Sequence, residues 1–163
     1  SHFNRVNQKD DYLPLGTTAN KQGRIAGLNI AGFNQKFRGI VGTSILKFFD
    51  LHIGMTGLNN EAADRLNALV EAYVMEVNDI ASYYPNAQPM KLRMLVEQHS
   101  RKLVGLQIVG KHGVDKRIDV FATALYNEMT FEELLNLDLA YAPPFSGEWD
   151  GIRQAPKRYG KKE

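Results

Sequence analysis

The sequence predicts an α+β fold, an antiparallel sheet with helices on one face. Three stretches predict it. Residues 91–97 alternate, with Leu92, Met94 and Val96 facing one way, and residues 103–109 alternate through Val104, Leu106 and Ile108. The polar residues 98–102 between these runs make them a hairpin. Val114, Ile118, Phe121 and Leu125 then recur at helical spacing and mark an amphipathic helix directly after it.

The other elements follow in chain order. Residues 1–11 are polar and lack a period, so they read as a loop or leader. Residues 17–32 read as a helix, with Thr17 or Thr18 able to cap it and Pro14 just before. Ala19, Gly23, Gly27 and Ala31 recur every four residues and share one face. Glycine inside a helix costs roughly 1 kcal/mol against alanine. Two on one stripe imply a close approach, either by a second helix or by a cofactor or neighbouring domain. Residues 40–55 are rich in β-branched and aromatic side chains and read as one or two strands. Asn59 or Asn60 caps a short helix running to about residue 69, with Ala62, Leu66 and Leu69 on one face. Residues 72–77 form a further strand. Thr130 and Glu133 make a capping box opening a last helix, which ends before Tyr141.

Composition narrows the function. A chain of 163 residues suits one domain with a real core. Its 20 basic and 18 acidic residues nearly balance, which argues against a large nucleic-acid surface. Much of the positive excess lies in residues 157–162, read as a frayed, solvated basic end from 151 onward. No apolar run of about 18 residues reads as a membrane span, and no signal peptide is visible, so the expected location is cytoplasmic. The chain has no cysteine, which excludes disulfides, thiolate metal sites and a redox thiol within these residues. His2, His52, His99 and His112 lack metal-ligand spacing, and no Gly-x-Gly-x-x-Gly fingerprint occurs. No metal is expected.

Two aromatic–proline corners remain. In residues 139–146 two consecutive prolines end any helix or central strand and hold Tyr141 and Phe145 on a stiff, extended backbone. Such a segment either packs on its own domain or delivers a phenol to a defined place. Tyr83-Tyr84-Pro85 reads most plainly as a turn with one ring buried. The start of the first helix favours anions through its free N–H groups and dipole. Asp115, Lys116, Arg117 and Asp119 crowd another helix start and read as a solvated, salt-bridged face.

Three motifs in this order carry a resemblance: Leu-Gly-Thr-Thr-Ala-Asn-Lys-Gln-Gly-Arg at 15–24, Gly-Val-Asp-Lys-Arg-Ile-Asp at 113–119 and Tyr-Ala-Pro-Pro-Phe-Ser at 141–146. Together they resemble the C-terminal part of the coenzyme A-disulfide reductases. These belong to the FAD- and NAD(P)H-dependent disulfide oxidoreductases, which include NADH oxidases and peroxidases. The resemblance runs from about residue 12 to residue 150. It implies that residues 1–34 end a FAD-binding domain, that 35–150 form a dimerisation domain, and that the protein pairs as a homodimer. The reactive cysteine and most of the FAD and NAD(P)H sites would lie in a missing N-terminal part, so neither cofactor is expected to bind tightly to these residues alone.

The resemblance also implies roles. Leu15, Thr17, Thr18 and Ala19 would lie against the flavin, with Asn20 and Lys21 near a bound coenzyme A. Tyr83 and Tyr141 would come from one subunit to the cysteine and flavin of the other. A phenol can donate a proton to a departing thiolate or hydrogen-bond to it. Trp149 stands where coenzyme A-disulfide reductases can carry a basic residue, and could stack on substrate or donate its N–H. The implied activity is NAD(P)H-driven reduction of coenzyme A disulfide or a related persulfide or polysulfide. An NADH oxidase or peroxidase and a free-standing, non-catalytic dimerisation module are the alternatives.

Overall fold

The computed structural model describes residues 1–160. Five strands form one antiparallel sheet in the order β3-β4-β7-β6-β5. They are β3 (Ser44–Phe48), β4 (Leu51–Gly57), β5 (Val70–Asn78), β6 (Pro89–Glu97) and β7 (Leu103–Gly110). The run at 40–55 thus gives two strands, turned at Phe49 and Asp50, with Phe49 at φ +52°. The strand expected at 72–77 extends at both ends, because its register with β6 holds from Val70 to Asn78.

One face of the sheet is covered by helices. α3 (Val114–Tyr126) crosses β4 and β7, and α5 (Gly151–Tyr159) packs on β5. Met75, Leu92, Ile108, Ile118, Phe121 and Ile152 meet between these layers. Gly54 permits the close contact of α3, since a Cβ there would lie 2.6 Å from Ile118. The opposite face carries Leu46, Ile53, Val109, Lys91 and Glu76 in one cross-strand row. Leu46, Ile53 and Val109 are exposed there.

The predicted alternation of β7 is corrected at one residue. Val96 pairs with Leu103 while Leu95 pairs with Gly105, so the ladder is irregular around Val104. An extra residue in one strand of a pair swaps the faces of those beyond it. Leu103 therefore joins Leu106 and Ile108 in the core, and Val104 is only half-buried.

Other expectations also change. The leader is not a loop: β1 (His2–Asn4) and β2 (Lys9–Asp11) pair, and Asn4 bridges to Ile40. Its backbone groups find ladder partners, which a burial-period reading of three-residue strands cannot detect. Asn59 caps α2 (Asn60–Arg65) by accepting from the Ala62 N–H at 2.8 Å. That helix ends at Arg65, before the expected 69, because Asn67 takes a left-handed φ of +51°. Ala63 is its buried residue, and Leu69 is exposed.

Thr130 and Glu133 form the predicted capping box on α4 (Phe131–Leu135). In the stretch expected to be a basic tail from 151 onward, Gly151–Tyr159 form α5; Lys157, Arg158 and Tyr159 are exposed as expected, and 161–163 lie outside the described residues. Ile152, Ala155 and Pro156, spaced as one helical stripe, are buried, and the Tyr159 ring stacks on Tyr73. The dense lysines and arginines hid that stripe.

Candidate functional site

Two loops of irregular backbone meet beside α5. The first, residues 79–88, joins β5 to β6 and is closed at its base by Asp79. The Asp79 carboxylate accepts from the Ile80 N–H at 2.9 Å and the Gln88 N–H at 2.8 Å. The second, residues 139–150, follows α4. Its two prolines lie in neither helix nor strand, as predicted, but the backbone is turned, not extended. Phe145 and Ser146 both donate from their N–H groups to the Ala142 carbonyl, at 2.9 and 3.1 Å. The two loops are stitched by the Ala81 N–H donating to the Pro143 carbonyl at 3.1 Å.

This stitching brings Tyr83 and Tyr141 together, their hydroxyl oxygens 3.2 Å apart. Both rings are presented outward, Tyr83 being 74% and Tyr141 49% exposed. Tyr84 and Phe145 are exposed as well, so the corner at Tyr83–Pro85 buries neither ring. The Tyr83 hydrogen bond holds the Tyr141 phenol above its ordinary pKa, with slight desolvation and the Glu148 carboxylate acting in the same direction. At neutral pH Tyr141 is a phenol with its proton in place.

Trp149 lies around the same corner, half-buried. The Lys157 ammonium sits 4.0 Å from its ring centroid and the Arg153 guanidinium 4.8 Å. Such contacts hold cations over the π-face of an indole. Trp149, Lys157, Arg158, Ser82 and Glu148 share a groove of about 600 Å³. Ser82 precedes Tyr83 in the chain, but neither Tyr83 nor Tyr141 is among the residues lining the groove.

The remaining predicted residues sit elsewhere in the chain. α1 (Gly16–Ile30) starts on Leu15, which offers no side-chain acceptor, so neither Thr17 nor Thr18 caps it. Both threonines fall inside the first turn, Thr17 exposed and Thr18 buried. Leu15, Thr17, Thr18 and Lys21 line a groove of about 800 Å³ with Ile40 and Asp119. Ala19 and Asn20 are exposed on the same helix. This groove is lined by a different set of residues from the one holding Trp149. A Cβ on Gly23 or Gly27 would meet nothing within 4 Å, so the small-residue face is open.

The charged run at 113–119 is corrected at Arg117, while Asp115 and Asp119 are exposed as expected. Arg117 is 1% exposed, where a solvated face was expected. Its Nε donates to Asp150 at 3.1 Å, Nη1 to the Gly113 carbonyl at 3.0 Å and Nη2 to the Asp79 carbonyl at 2.8 Å. Its position held a signal: Arg117 falls on the apolar stripe with Val114, Ile118 and Phe121. A charge on a buried stripe must find partners inside the fold.

The helix-backed antiparallel sheet that presents these aromatics carries the sequence of a known family. Residues 43–152 match the family described as "Pyridine nucleotide-disulphide oxidoreductase, dimerisation domain", and the chain belongs to it. It is 38% identical over 147 residues to an NAD(P)H sulfur oxidoreductase (CoA-dependent) of Pyrococcus furiosus, covering 90% of this chain and 33% of that protein. It is 36% identical over 154 residues to the coenzyme A disulfide reductase of Staphylococcus epidermidis, covering 93% of this chain and 34% of that one. The solved NAD-dependent persulfide reductase from A. fulgidus superposes with a TM-score of 0.91 at 38% identity, covering 98% of this chain and 30% of that chain. This chain therefore spans about a third of the relatives it matches. Among the described residues no helix is long and apolar enough to cross a membrane, and no histidine, cysteine and carboxylate group could hold a metal.

Proposed function

We propose that these residues are the dimerisation end of a flavoprotein that uses NAD(P)H to reduce coenzyme A disulfide or a related persulfide or polysulfide. Residues 1–34 end its FAD domain, and the sheet domain pairs two subunits. The observation that carries this reading is the hydrogen-bonded, outward-facing pair Tyr83–Tyr141. Exposed phenols held in register are of little use to a closed core and suit a site completed by another subunit.

The α1 start fits a flavin. Its first-turn N–H groups lack a side-chain acceptor and border the larger groove, so an anionic ring edge would find donors there. A bound flavin would supply the electron transfer between NAD(P)H and sulfur. Leu15, Thr17, Thr18 and Ala19 would hold its ring, with Asn20 and Lys21 beside the substrate. Trp149 does not leave the substrate groove without a cation, because Lys157 and Arg153 lie over its ring. Phosphates of a coenzyme A-type substrate would meet those charges, with Lys157 and Arg158 on the groove wall.

The ordinary acidities of thiol and phenol select between the two roles of Tyr141. An ordinary thiol has a pKa of about 8.5 and a phenol about 10. Full proton transfer from Tyr141 to a thiolate is therefore uphill. Tyr141 acts as a hydrogen-bond donor to the thiolate leaving the cleaved disulfide. Tyr83 orients it.

The test uses the full-length parent. Tyr141→Phe should slow reoxidation of the reduced enzyme by coenzyme A disulfide about 10²- to 10³-fold, the range for removing one preorganised donor to a developing anion. Dimer and flavin content should stay intact. Unchanged reoxidation makes Tyr141 a packing residue. Reoxidation that is fast only with dioxygen moves the parent to the oxidases.

A further inference from the structure

The start of α3 grips both phenol-bearing loops from beneath. Arg117 reaches the Asp79 carbonyl at the base of the Tyr83 loop. Its other bonds go to Gly113 in its own turn and to Asp150 at the end of the Tyr141 loop. Asp150 in turn accepts from the Ser146 hydroxyl at 3.1 Å and from the Ile152 N–H at 3.2 Å. One residue earlier, Lys116 donates to the Ala140 carbonyl at 3.4 Å and lies 3.7 Å from the other Asp150 oxygen. The residue after Ala140 is Tyr141.

We propose that Arg117, with Lys116 and Asp150, is the positioning device that sets the separation of the Tyr83 and Tyr141 hydroxyls. The inference rests on the reading that those phenols act together, and adds what holds them. The motif 113–119 thereby gains a role that its resemblance to known reductases does not supply.

The geometry favours this over a plain core ion pair. An apolar pair of similar volume would fill the same space with no desolvation cost. It could not reach two loops at once. The guanidinium fork can, because its donors point in fixed, divergent directions in one plane. Gly113 makes room for it: a Cβ there would lie 2.5 Å from Arg117 Nη1, and its φ of +67° suits glycine. The anchors also fall on the right residues. Lys116 holds the residue before Tyr141, Ser146 closes the turn after it, and Asp79 fixes both ends of the Tyr83 loop. The two hydroxyls bond to each other, and Arg117 bonds to Asp150, Gly113 and Asp79, so it acts through the backbone that carries the phenols.

The experiment reads the phenol pair itself. The 163-residue chain is labelled with ¹³C at the tyrosine ring carbon bearing oxygen, and each tyrosine is titrated by NMR. In the wild type, Tyr141 should titrate above about 10, and Tyr83→Phe should remove most of that rise. Glu148→Gln in each background separates the contribution of the nearby carboxylate.

Arg117→Met with Asp150→Asn removes both buried charges; the Asn oxygen can accept from the Ile152 N–H, and its amide N–H can donate to the Ser146 hydroxyl in place of the other carboxylate oxygen. In that background Tyr141 should fall back toward about 10, and Tyr83→Phe should have no further effect. Lys116→Met, at a partly exposed site that does not threaten the core, should lower Tyr141 by a smaller amount. A folded double variant with the raised Tyr141 and its response to Tyr83→Phe intact overturns the proposal. So does a Lys116→Met chain indistinguishable from wild type, which decides the matter even where the double variant fails to fold. In the parent, Arg117→Lys should lower kcat while KM for the disulfide stays put, because Lys keeps the charge but lacks the fork. Should Tyr141→Phe leave reoxidation unchanged while these titrations behave as expected, the catalytic reading fails and the positioning device stands.

Discussion

α1 and α3 are similar in length and opposite in support. α3 has 13 residues and buries Val114, Arg117, Ile118, Phe121, Ala124 and Leu125. α1 has 15 residues and buries only Thr18. Helices of this length are marginal alone, since nucleation is unfavourable and packing normally supplies the difference. α3 is therefore a product of the core, and α1 rests mainly on its own backbone bonds. Ile30, at its end, is 89% exposed. The comparison teaches that regular secondary structure and cooperative stability are separate properties here. The stable body is the sheet with α3, α4 and α5. The regions that carry the proposed chemistry, α1 and the phenol loops, sit on its outside.

The largest effect that tests this contrast is Phe121→Ala. Phe121 is fully buried between α3 and the sheet. Its loss should destabilise the chain by about 3–5 kcal/mol, read from the denaturant midpoint. Ile30→Ala should change stability by no more than about 0.5 kcal/mol, because an exposed side chain loses little on truncation. Equal losses from the two changes would mean that α1 is packed in solution and that the contrast is false.

The body was legible from the sequence and the outer regions less so, for physical reasons. Periodicity reports burial. It therefore placed β6, most of β7 and α3, where Leu92, Met94, Ile108 and Phe121 are all in the core. It failed where burial and charge share a stripe. Arg117 was read as solvated because its neighbours are charged, although it sits in phase with Ile118 and Phe121. α5 was missed for the same reason, with Ile152 and Ala155 hidden among cations. It failed again at Val104, where an irregular ladder changed the phase that strict alternation assumes.

The phenols themselves were found through motif resemblance, not through period, because Tyr83 and Tyr141 lie on turned backbone. Their 3.2 Å contact depends on residues 58 positions apart, which local pattern cannot anticipate. Trp149 was singled out as a residue without charge, whereas the cations that cover it come from a helix the sequence did not show.

α1 itself offers a smaller test of the contrast. Gly23 and Gly27 are helical, and an added Cβ would meet nothing within 4 Å. Gly27→Ala should therefore stabilise α1 by about 0.4–1 kcal/mol, chiefly by narrowing the unfolded ensemble. Slower amide exchange across α1, with α3 unchanged, is the measurement. In the full-length parent the sign should reverse if a cofactor or the FAD domain lies against this face, since the added methyl would then meet it. A gain of the same size in both forms would leave the stripe without a function.

The smallest effect compares the two helix starts. α4 is only five residues long and opens with reciprocal bonds, whereas α1 opens on Leu15 with none. In α4 the Thr130 hydroxyl accepts from the Glu133 N–H at 3.2 Å, and the Glu133 carboxylate accepts from the Thr130 N–H at 2.8 Å. The Thr130 backbone N–H, aided by its hydroxyl, holds the Glu133 carboxyl below its ordinary pKa. A carboxylate whose pKa is depressed on folding stabilises the fold above its unfolded pKa, about 4.3. That contribution is lost as pH falls through the lower folded value. Glu133→Gln keeps an oxygen for both Thr130 donors but does not titrate. Between about pH 6 and pH 3, a span that brackets the unfolded carboxylate, its melting temperature should fall less than that of the wild type. Asp50, held low by Lys111, and Glu128, held low by Lys102, contribute to acid sensitivity equally in both proteins. The difference between the two curves therefore isolates the capping box. Parallel loss in the two proteins across the acid range would show that the Glu133 bond is not formed in solution, and α4 would then be as uncapped as α1.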